Sequence, residues 1–588
     1  MAIRVVRPAP ALLRVLLAAL GVTAAIVAFS RGPALSARQK PPAAFDLVIA
    51  NGRIVDGSGG PWFSGDVGVV GDRITAIGRL AEAPAQTRID AAGLVVAPGF
   101  IDLLGQSEFN LLVDNRAASK IMQGVTTEVT GEGTSIAPLN ERLLADMEPA
   151  LKRFNVTADW RTLGEYFKRL DERTRPAINL ATFVGAGSLR TFVIGKDDRR
   201  ATPAEIEQME KLVSHAMEEG ALGVSSSLQY MPDRFADTAE LAALATVAAR
   251  YGGIYFTHQR SESGKIFESL DEVFAIAERA RTPAHIWHLK TAYRANFGKM
   301  GEVLSRIEAA RARGLDITAD AYPYTRAGNG LDACLPIWAR EGGTDKLLAR
   351  VKDPAQRERI KKDMEDPNSP GWENQWYGAG GAEGIMIASV LDPSLRKYEG
   401  KTLAAIGREE GKDPKDAAFD LLIADSANTF VITSIMSEED VRLALKHPLV
   451  SFDTDAGAKA EDGPLAESKS HPRAWGTFAR ILGKYVREEK LLRLEEAIRK
   501  MTSQPAARVR LDDRGLLRPG MVADITIFDP AGIRDVATFE DPNHYSVGVQ
   551  HVVVNGRLVL VNGKFTNERP GKALRGPGYG RQRASTQN

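Results

Sequence analysis

Helical segments alternate with short apolar runs through the middle of the chain, and this alternation restricts the possible folds more than any other feature. Each of four amphipathic segments is followed directly by such a run: Glu205 to Glu219, Thr238 to Tyr251, Leu270 to Arg281 and Gly301 to Gly314. Repeated units of this kind build parallel sheets, and their number is typical of a TIM-type barrel. We therefore predict an α/β fold with a (β/α)8 barrel over residues 98–504.

Both ends of the chain carry strand patterns of a different kind. Asn51-Gly52 separates two apolar runs near the start, and Asn555-Gly556 separates two near the end. An Asn-Gly pair between apolar runs is a strong hairpin signal. Strands contributed by both ends would also cover each other's open sheet edges. We expect a small β-sandwich domain made from residues 44–97 and 505–568.

The stretch from about residue 341 to 428 is more polar than the repeated units and contains several Pro and Gly residues. We interpret it as an insertion or lid that precedes the last barrel strands. The chain shows no tandem repeat and no low-complexity tract.

The first residues resemble a secretory signal. Three arginines, Arg4, Arg7 and Arg14, precede an uncharged run that extends from Val15 to Phe29, and small residues follow it. This order is typical of a cleaved signal peptide, which we place at residues 1–37. An uncleaved anchor is the alternative, but the run is short for a spanning helix. We expect export, to a bacterial periplasm, with no stable membrane span after cleavage.

Charge and cysteine content exclude several functional classes. The net charge of +1 gives no reason to expect a nucleic acid or an anionic membrane as a partner. The single cysteine, Cys334, excludes an intramolecular disulfide framework and any cysteine-rich zinc site. A small molecule is the expected partner.

Two histidines stand at the ends of successive strand-like runs. His258 and His288 each close an apolar run, and they are about one βα unit apart. Imidazoles at neighbouring strand ends can bind one metal ion, although buried core histidines are the alternative. Strand residues alternate sides, so Lys290 should point the same way as His288, and Arg260 the same way as His258.

Later runs end in acidic and basic residues that suit the same site. Asp455 is a candidate carboxylate for a metal-bound water; its alternative role is to cap a following helix. Asp453 lies on the same face of the run and is a rival for either role. Arg473 could bind a substrate carboxylate in a bidentate manner, although a lone arginine is more often a surface charge.

Several motifs resemble the D-aminoacylase (N-acyl-D-amino-acid deacylase) family of the amidohydrolase superfamily. The similarity extends from about residue 45 to 565, and the run from His471 to Phe478 is its most family-specific part. The other motifs are Ala97 to Asp102, Gly124 to Thr127, Gly220 to Ser225 with Tyr230 and Pro232, Thr257 to Arg260, His288 to Lys290, Asp320 with Tyr322 to Tyr324, Met501 to Ala506 and Gly515 to Asp524.

This resemblance implies a β-sandwich, a zinc-containing barrel, and hydrolysis of N-acyl-D-amino acids. His258 and His288 match the two histidines of the tightly held metal, and Asp455 matches the general acid/base aspartate. The positions that match those around the substrate are Lys290, Tyr230, Tyr324 and Arg473, the last as a carboxylate clamp.

Two departures from the family pattern concern the metal. The usual His-x-His falls at Leu104 and Gln106, so a second metal position is expected to be lost. The usual cysteine near Gly133 is absent, and Glu132 is the nearest possible ligand. Two histidines and one carboxylate with an open fourth position form a workable catalytic zinc set. We expect one zinc ion rather than two.

The expected activity is zinc-dependent hydrolysis of a linear amide bond. Asp455 would accept the proton of the attacking water and return it to the leaving amine. Lys290 or a tyrosine would help to stabilise the oxyanion. Hydrolysis of a cyclic amide or dipeptide is an alternative with the same fold. A non-catalytic ligand-binding relative is an alternative of another class.

Overall fold

The computed structural model describes residues 44–367, 372–467 and 469–580. The expected signal peptide at residues 1–37 lies outside them. The strands in chain order are β1 (Phe45–Ile54), β2 (Phe63–Val70), β3 (Arg73–Gly78), β4 (Ala85–Asp90), β5 (Val95–Pro98), β6 (Phe100–Asp102), β7 (Val125–Thr130), β8 (Asn179–Thr182), β9 (Val184–Gly185), β10 (Gly223–Ser227), β11 (Ile254–His258), β12 (Ala284–Ile286), β13 (Ile317–Ala321), β14 (Arg326–Gly330), β15 (Ile385–Ser389), β16 (Phe430–Ser434), β17 (Val450–Phe452), β18 (Ile525–Phe528), β19 (Val549–Val554), β20 (Arg557–Val561) and β21 (Lys564–Phe565).

Within the described ranges, none of the helices is both long and apolar enough to cross a membrane. The α-helices are Asn110–Val113, Ala118–Ile121, Glu141–Arg153, Leu163–Arg169, Ala186–Val193, Pro203–Glu219, Thr238–Arg250, Ile266–Ala280, Met300–Ala312, Ile337–Arg340, Thr344–Lys352, Pro354–Glu365, Gln375–Gly378, Leu403–Glu410, Pro414–Ala424, Glu438–Lys446, Arg473–Arg480, Leu494–Met501 and Ser503–Arg508. Short 3-10 helices are Asp233–Phe235, Arg294–Asn296, Leu331–Cys334, Gly381–Gly384, Pro393–Tyr398 and Pro464–Ala466, and π-helical turns are Leu170–Thr174 and Ile481–Glu488.

Both ends of the described chain join in one β domain. Its sheet runs in the order β21-β20-β19-β18-β5-β1-β2-β3, with β4 beside β1. The two ends meet where β5 pairs antiparallel with β18, which places Pro98 opposite Ile525. Buried side chains of both ends, such as Val67 and Val553, share one apolar cluster. The prediction of a small β domain built from both ends is confirmed.

The two Asn-Gly pairs adopt different conformations. Asn555-Gly556 turns the chain between β19 and β20 with positive φ at both residues, as a tight hairpin requires. Asn51 alone has a positive φ, and β1 continues through it with a shift in its pairing with β2. The predicted hairpin at Asn51-Gly52 is therefore wrong. A single left-handed residue produces a bulge within a strand, because the tight turn needs two.

Eight parallel strands form a barrel. They are β6, β7, β8 (continued by β9), β10, β11, β12, β13 and β17. A parallel bridge between Gly105 and Ala456 joins the chain segments that follow β6 and β17, which closes the ring. The helices predicted between strands are present, with end points that differ by up to four residues. The (β/α)8 prediction is confirmed.

The insertion has its own sheet. β14, β16 and β15 form an antiparallel three-stranded sheet, and helices pack around it. The inserted segment therefore runs from Arg326 to Ser434, beyond both ends of the predicted 341–428. Composition did not reveal β14 because this strand contains two glycines and no large apolar residue. The sheet places residues of β14 and Phe430 on the wall of the barrel's cavity.

Candidate metal centre and active site

Three potential metal ligands meet at the ends of neighbouring barrel strands. His258 is the last residue of β11, His288 follows β12, and Glu132 follows β7. The Glu132 Oε1 atom lies 3.0 Å from His258 Nδ1 and 3.1 Å from His288 Nε2. All three ligand atoms lie within 4.8 Å of one another. The structure thus brings together the three residues that the sequence nominated for a metal.

The geometry and chemistry of this cluster fit a zinc ion. Ligand atoms bound at about 2.1 Å in a tetrahedron are roughly 3.4 Å apart, close to the observed separations. One carboxylate and two imidazoles are a donor set that zinc accepts, and the adjoining cavity leaves room for a fourth ligand. The Nε2 atom of His258 is buried and has no hydrogen-bond partner among the described residues, so the ring is held mainly through Nδ1 and Glu132.

The carboxyl of Glu132 is held in its charged form. Burial alone would raise its pKa, but hydrogen bonds from His258 and His288 outweigh burial and keep the pKa well below the usual range. The second oxygen of Glu132 accepts a hydrogen bond of 3.1 Å from Gln106 Nε2. The same amide nitrogen lies 3.1 Å from Asp455 Oδ1. Gln106 thus links the candidate ligand to the candidate acid/base residue.

Asp455 faces the cavity and forms an ion pair with Arg473. Arg473 Nη1 lies 2.8 Å from Asp455 Oδ2, and both side chains are buried. Asp455 has a φ of 43°, a conformation that costs energy and is often retained at functional sites. No helix begins directly after it, so it does not act as a helix cap. Burial raises the pKa of its carboxyl, and the Arg473 guanidinium opposes that rise.

Asp453, the rival of Asp455, does not line the cavity. It is completely buried, and both of its oxygens are without a hydrogen-bond partner in the described chain. Burial and the nearby carboxylate of Asp320 raise its pKa well above the usual value. Asp453 therefore lies inside the barrel away from the cavity, and Asp455 is the carboxylate available to a substrate.

Lys290 points towards His288 as predicted, and it has an acidic partner that the sequence did not reveal. Lys290 Nζ lies 2.7 Å from His288 Nδ1 and 2.6 Å from Glu262 Oε1. Burial alone would lower the pKa of Lys290, but Glu262 reverses the effect and raises it. Glu262 also lies 3.0 Å from His288 Nδ1. This carboxylate keeps the lysine charged and orients the imidazole.

Arg260 does not share the side of His258. It forms an ion pair with Glu272, at 2.8 Å, and donates to the carbonyls of Arg234 and Ala236. The alternation expected of a strand does not apply because β11 ends at His258. His285, the third histidine of this region, is a core residue that stacks on Phe256 with ring centroids 4.3 Å apart.

Of the tyrosines predicted around the substrate, one lines the cavity and one does not. The Tyr230 ring packs edge-on against His258, with centroids 5.1 Å apart. Tyr324 lies behind the cavity wall, where it contacts His471 and its hydroxyl lies 3.4 Å from the Pro472 carbonyl. Tyr322 takes the expected place: its ring contacts Arg473, and its buried hydroxyl has no partner among the described residues. Tyr324 is not part of this cavity wall, and its place around the substrate stays a prediction.

All the remaining candidates share one cavity of about 590 Å³. Its wall contains Glu132, Tyr230, His258, His288, Lys290, Asp455 and Arg473, together with Gln106, Glu262 and Tyr322. The last three were not among the predicted site residues. Glu262 stands four residues after His258 in the same strand-end loop, and that proximity is the one signal that could have identified it. For Gln106 the sequence shows only a departure from the His-x-His pattern.

The chain is similar to several known proteins. The model of the amidohydrolase family matches residues 432–560. D-aminoacylase from Alcaligenes xylosoxydans xylosoxydans is 36% identical, over 90% of this chain and 97% of that protein. N-acyl-D-glutamate deacylase from Bordetella bronchiseptica, solved with zinc and a phosphonate mimic of the tetrahedral intermediate, is 32% identical over 90% of this chain and all of that one, with a TM-score of 0.75. A D-aminoacylase structure described as having a binuclear metal centre, with one-metal activation and second-metal attenuation, has a TM-score of 0.74 at 33% identity, over 90% of this chain and all of that one.

Proposed function

The chain belongs to the D-aminoacylase family of amidohydrolases, and we propose that it hydrolyses N-acyl-D-amino acids to a carboxylate and a free D-amino acid. The observation that carries the proposal is the cluster of Glu132, His258 and His288 beside Asp455 and Arg473 in one cavity. It unites a metal site, a proton carrier and a binding group for a carboxylate. A linear substrate with a free carboxylate uses all three.

The proposed metal content is one zinc ion. Leu104 is completely buried in an apolar cluster with residues such as Phe183 and Trp287, so it offers no ligand. Gln106 donates its amide hydrogens to Glu132 and Asp455, which are the carboxylates that a second ion would need. An amide donor that occupies both carboxylates disfavours a cation there. These contacts support a single ion at Glu132, His258 and His288.

The protein side chains have separate roles in the proposed reaction. A zinc ion bound by the three ligands would act as a Lewis acid and lower the pKa of water from 15.7 to about 7. Asp455 would accept a proton from the attacking water and pass it to the leaving amine, which requires the charged form that Arg473 favours. Lys290 would stabilise the negative oxygen that develops at the amide carbon. Arg473 would bind the substrate carboxylate with the N–H groups that Asp455 does not use.

Alanine substitution of His258 or His288 tests this function. Each variant should lose zinc and lose hydrolysis of N-acetyl-D-amino acids, as measured by metal analysis and by release of the free amino acid. The matched control is His215→Ala, because His215 is exposed on the helix Pro203–Glu219. Zinc and activity that persist in both site variants would refute the proposal. Parallel assays of the L-enantiomers establish the stereochemical preference.

We also propose that the protein is exported, as the basic start and the following apolar run suggest. Expression of the full chain, followed by fractionation and N-terminal sequencing of the mature protein, tests this. A periplasmic protein that starts near residue 38 is the expected result. A chain that retains Met1 in the cytoplasm would contradict it.

A further inference from the structure

The ammonium group of Lys120 is buried beside the loop that carries Asp455. The side chain of Lys120 is completely inaccessible to solvent. Its Nζ atom lies 2.7 Å from Asp102 Oδ2, 2.7 Å from Thr454 Oγ1 and 2.7 Å from the Ala456 carbonyl oxygen. Two of these three partners are the residues directly before and after Asp455. The lysine therefore binds the chain on both sides of the proposed acid/base carboxylate.

Asp102 holds the same loop through further hydrogen bonds. It is the last residue of β6, and its Oδ1 atom accepts from the Thr454 amide at 2.9 Å. Its Oδ2 atom accepts from the Thr454 hydroxyl at 2.6 Å, in addition to Lys120. The bridge between Gly105 and Ala456, which closes the barrel, joins the same two chain segments. The buried ion pair thus attaches the loop that follows β17 to β6.

Glu128 and Ser107 extend this network along the loop. Glu128, on β7, lies 3.3 Å from Lys120 Nζ and accepts from Ser107 Oγ at 2.8 Å. Ser107 Oγ in turn accepts from the Ala458 amide at 2.7 Å. The side chains of Glu128 and Ser107 are completely buried. The loop is therefore held one residue before, one residue after and three residues after Asp455.

These bonds account for the unusual backbone of Asp455. Its φ of 43° lies in the left-handed region, which favours glycine and which other residues keep only when the surrounding contacts compensate. The contacts of Lys120 with both neighbours of Asp455 supply that compensation. A loop without them would relax and move the carboxylate from its present place, 3.1 Å from Gln106 Nε2 and 2.8 Å from Arg473 Nη1.

Lys120, Asp102 and Thr454 do not line the catalytic cavity, so any effect they have on catalysis passes through Asp455. Stability alone is a weak reason for such a buried ion pair, because replacement of both charges by apolar groups is often neutral or stabilising. Proton transfer, in contrast, needs its acceptor within hydrogen-bond reach of the proton. A misplacement of about 1 Å can lower a rate by about a hundredfold. The network therefore meets a requirement of the reaction.

We propose that Lys120, with Asp102, positions Asp455 for proton transfer by fixing the residues on either side of it. Lys120 is a positioning residue, since it lies outside the cavity. The inference rests on the proposed function, which gives Asp455 its role. It also has a structural content that does not depend on that role, namely that the ion pair sustains the positive φ of Asp455.

Steady-state kinetics of the zinc-loaded, full-length protein test the role in catalysis. Lys120→Met combined with Asp102→Asn removes the ion pair as a whole, and kcat for N-acetyl-D-amino acids should fall about ten- to a hundredfold. KM should stay close to the wild-type value, because Arg473 still binds the substrate carboxylate. The control is Lys500→Met, which removes another completely buried lysine that donates to backbone carbonyls outside the cavity. This control should leave kcat unchanged.

Two substitutions of Thr454 separate positioning from stability, and they decide the question if the double variant does not fold. Thr454→Ser keeps the hydroxyl that links Lys120 to Asp102 and should keep most of kcat. Thr454→Val has the same shape without the hydroxyl and should lower kcat with KM unchanged. A wild-type kcat in the double variant, or equal kcat in the two Thr454 variants, would overturn the inference while leaving the proposed function intact.

A measurement without substrate decides the inference even if the proposed function fails, in which case the wild type hydrolyses none of the N-acyl-D-amino acids. Asp455→Gly and Asp455→Ala both remove the carboxylate, but only alanine is strained at a positive φ. The melting temperature of the Gly variant minus that of the Ala variant should be larger in the wild-type background than in Lys120→Met with Asp102→Asn. Thr454→Val is the background to use if that chain does not fold. A difference of the same size with and without the network would overturn the inference.

Discussion

Gln106 Nε2 lies 3.1 Å from Glu132 Oε2, and this contact ties a cavity amide to a candidate metal ligand. The same nitrogen is equally close to Asp455. The two carboxylates that would otherwise repel each other across the catalytic centre are thus joined by a neutral donor. An amide does not titrate in the range where imidazole does, so the donor of this link keeps its hydrogens as the pH changes.

Glu132 should account for much of the metal affinity. Glu132→Ala removes one of three ligands, so zinc affinity should fall at least about 100-fold. Loss of a residue that only hydrogen-bonds a metal ligand typically lowers metal affinity by roughly 10- to 100-fold. Glu132→Cys supplies a thiolate ligand and should retain zinc. Competition with a chelating dye measures both affinities. Glu373→Gln, in the same cavity but hydrogen-bonded to Gln229, is the control. Tight zinc binding by Glu132→Ala would show that this carboxylate is not a ligand.

Arg473 should set the lower limit of the active pH range. Burial raises the pKa of Asp455 and the guanidinium opposes the rise, so Arg473→Ala should raise that pKa further. Activity needs the charged carboxylate, and the acidic limb of kcat/KM should therefore move to higher pH. KM should also rise, since the substrate carboxylate loses its partner. The measurement is a pH profile with an N-acyl-D-amino acid.

The control for Arg473 is Arg480→Ala, in the same helix. Arg480 pairs with Asp535 at 2.9 Å and does not touch Asp455. It should leave the acidic limb in place. An unshifted limb in Arg473→Ala would mean that Asp455 is not the titrating group.

Glu262 should set the upper limit of the active pH range. Burial alone lowers the pKa of Lys290, and Glu262 is the largest influence that raises it. Glu262→Gln should therefore lower the pKa of the lysine and bring the basic limb of kcat/KM to lower pH. Glu272→Gln breaks the pair with Arg260 outside the catalytic cavity and serves as control. A basic limb identical to that of the wild type would argue against a role for charged Lys290.

Tyr322 and Tyr324 should differ in the consequences of losing a hydroxyl. Tyr322→Phe removes a cavity hydroxyl that has no protein partner in the described chain, so kcat/KM should fall by about tenfold. Tyr324→Phe removes a weak contact to Pro472 behind the wall and should cost at most about 1 kcal/mol of stability. Steady-state kinetics and thermal unfolding separate the two effects. A larger kinetic loss in Tyr324→Phe would contradict the placement of the two rings.

The sequence predicted those parts of the site that depend on periodic structure. His258 ends a strand and His288 follows one by two residues, and both could be located because strand ends of a parallel barrel lie at one face. Glu262, Gln106 and Tyr322 lie in loops, where position follows from contacts between distant segments. The position of Tyr322 in the cavity wall, with Tyr324 behind it, depends on the same kind of contact. No periodicity continues past Ala321, the last residue of β13.

In the fold, too, features that depend on local sequence pattern could be predicted, and features that depend on distant contacts could not. Helix and strand alternation established the barrel, whereas the bulge at Asn51 depends on partners far away in sequence. Its amide nitrogen donates to Asp66 at 2.8 Å and its side chain to Asp90 at 3.0 Å. These contacts favour a continuous strand over the turn that Asn-Gly would form alone. The second pair, Asn555-Gly556, has the expected turn.

The pairing of β5 with β18 has a consequence for biosynthesis. Pro98 faces Ile525, so the first β strands cannot complete their sheet until nearly the whole chain has left the ribosome. Contacts between residues so distant in sequence form slowly, because a long loop must close first. Strands β1 to β5 therefore remain incompletely paired during most of translation. A nascent chain of this kind needs protection by chaperones, and a message truncated before β18 would yield an aggregating product.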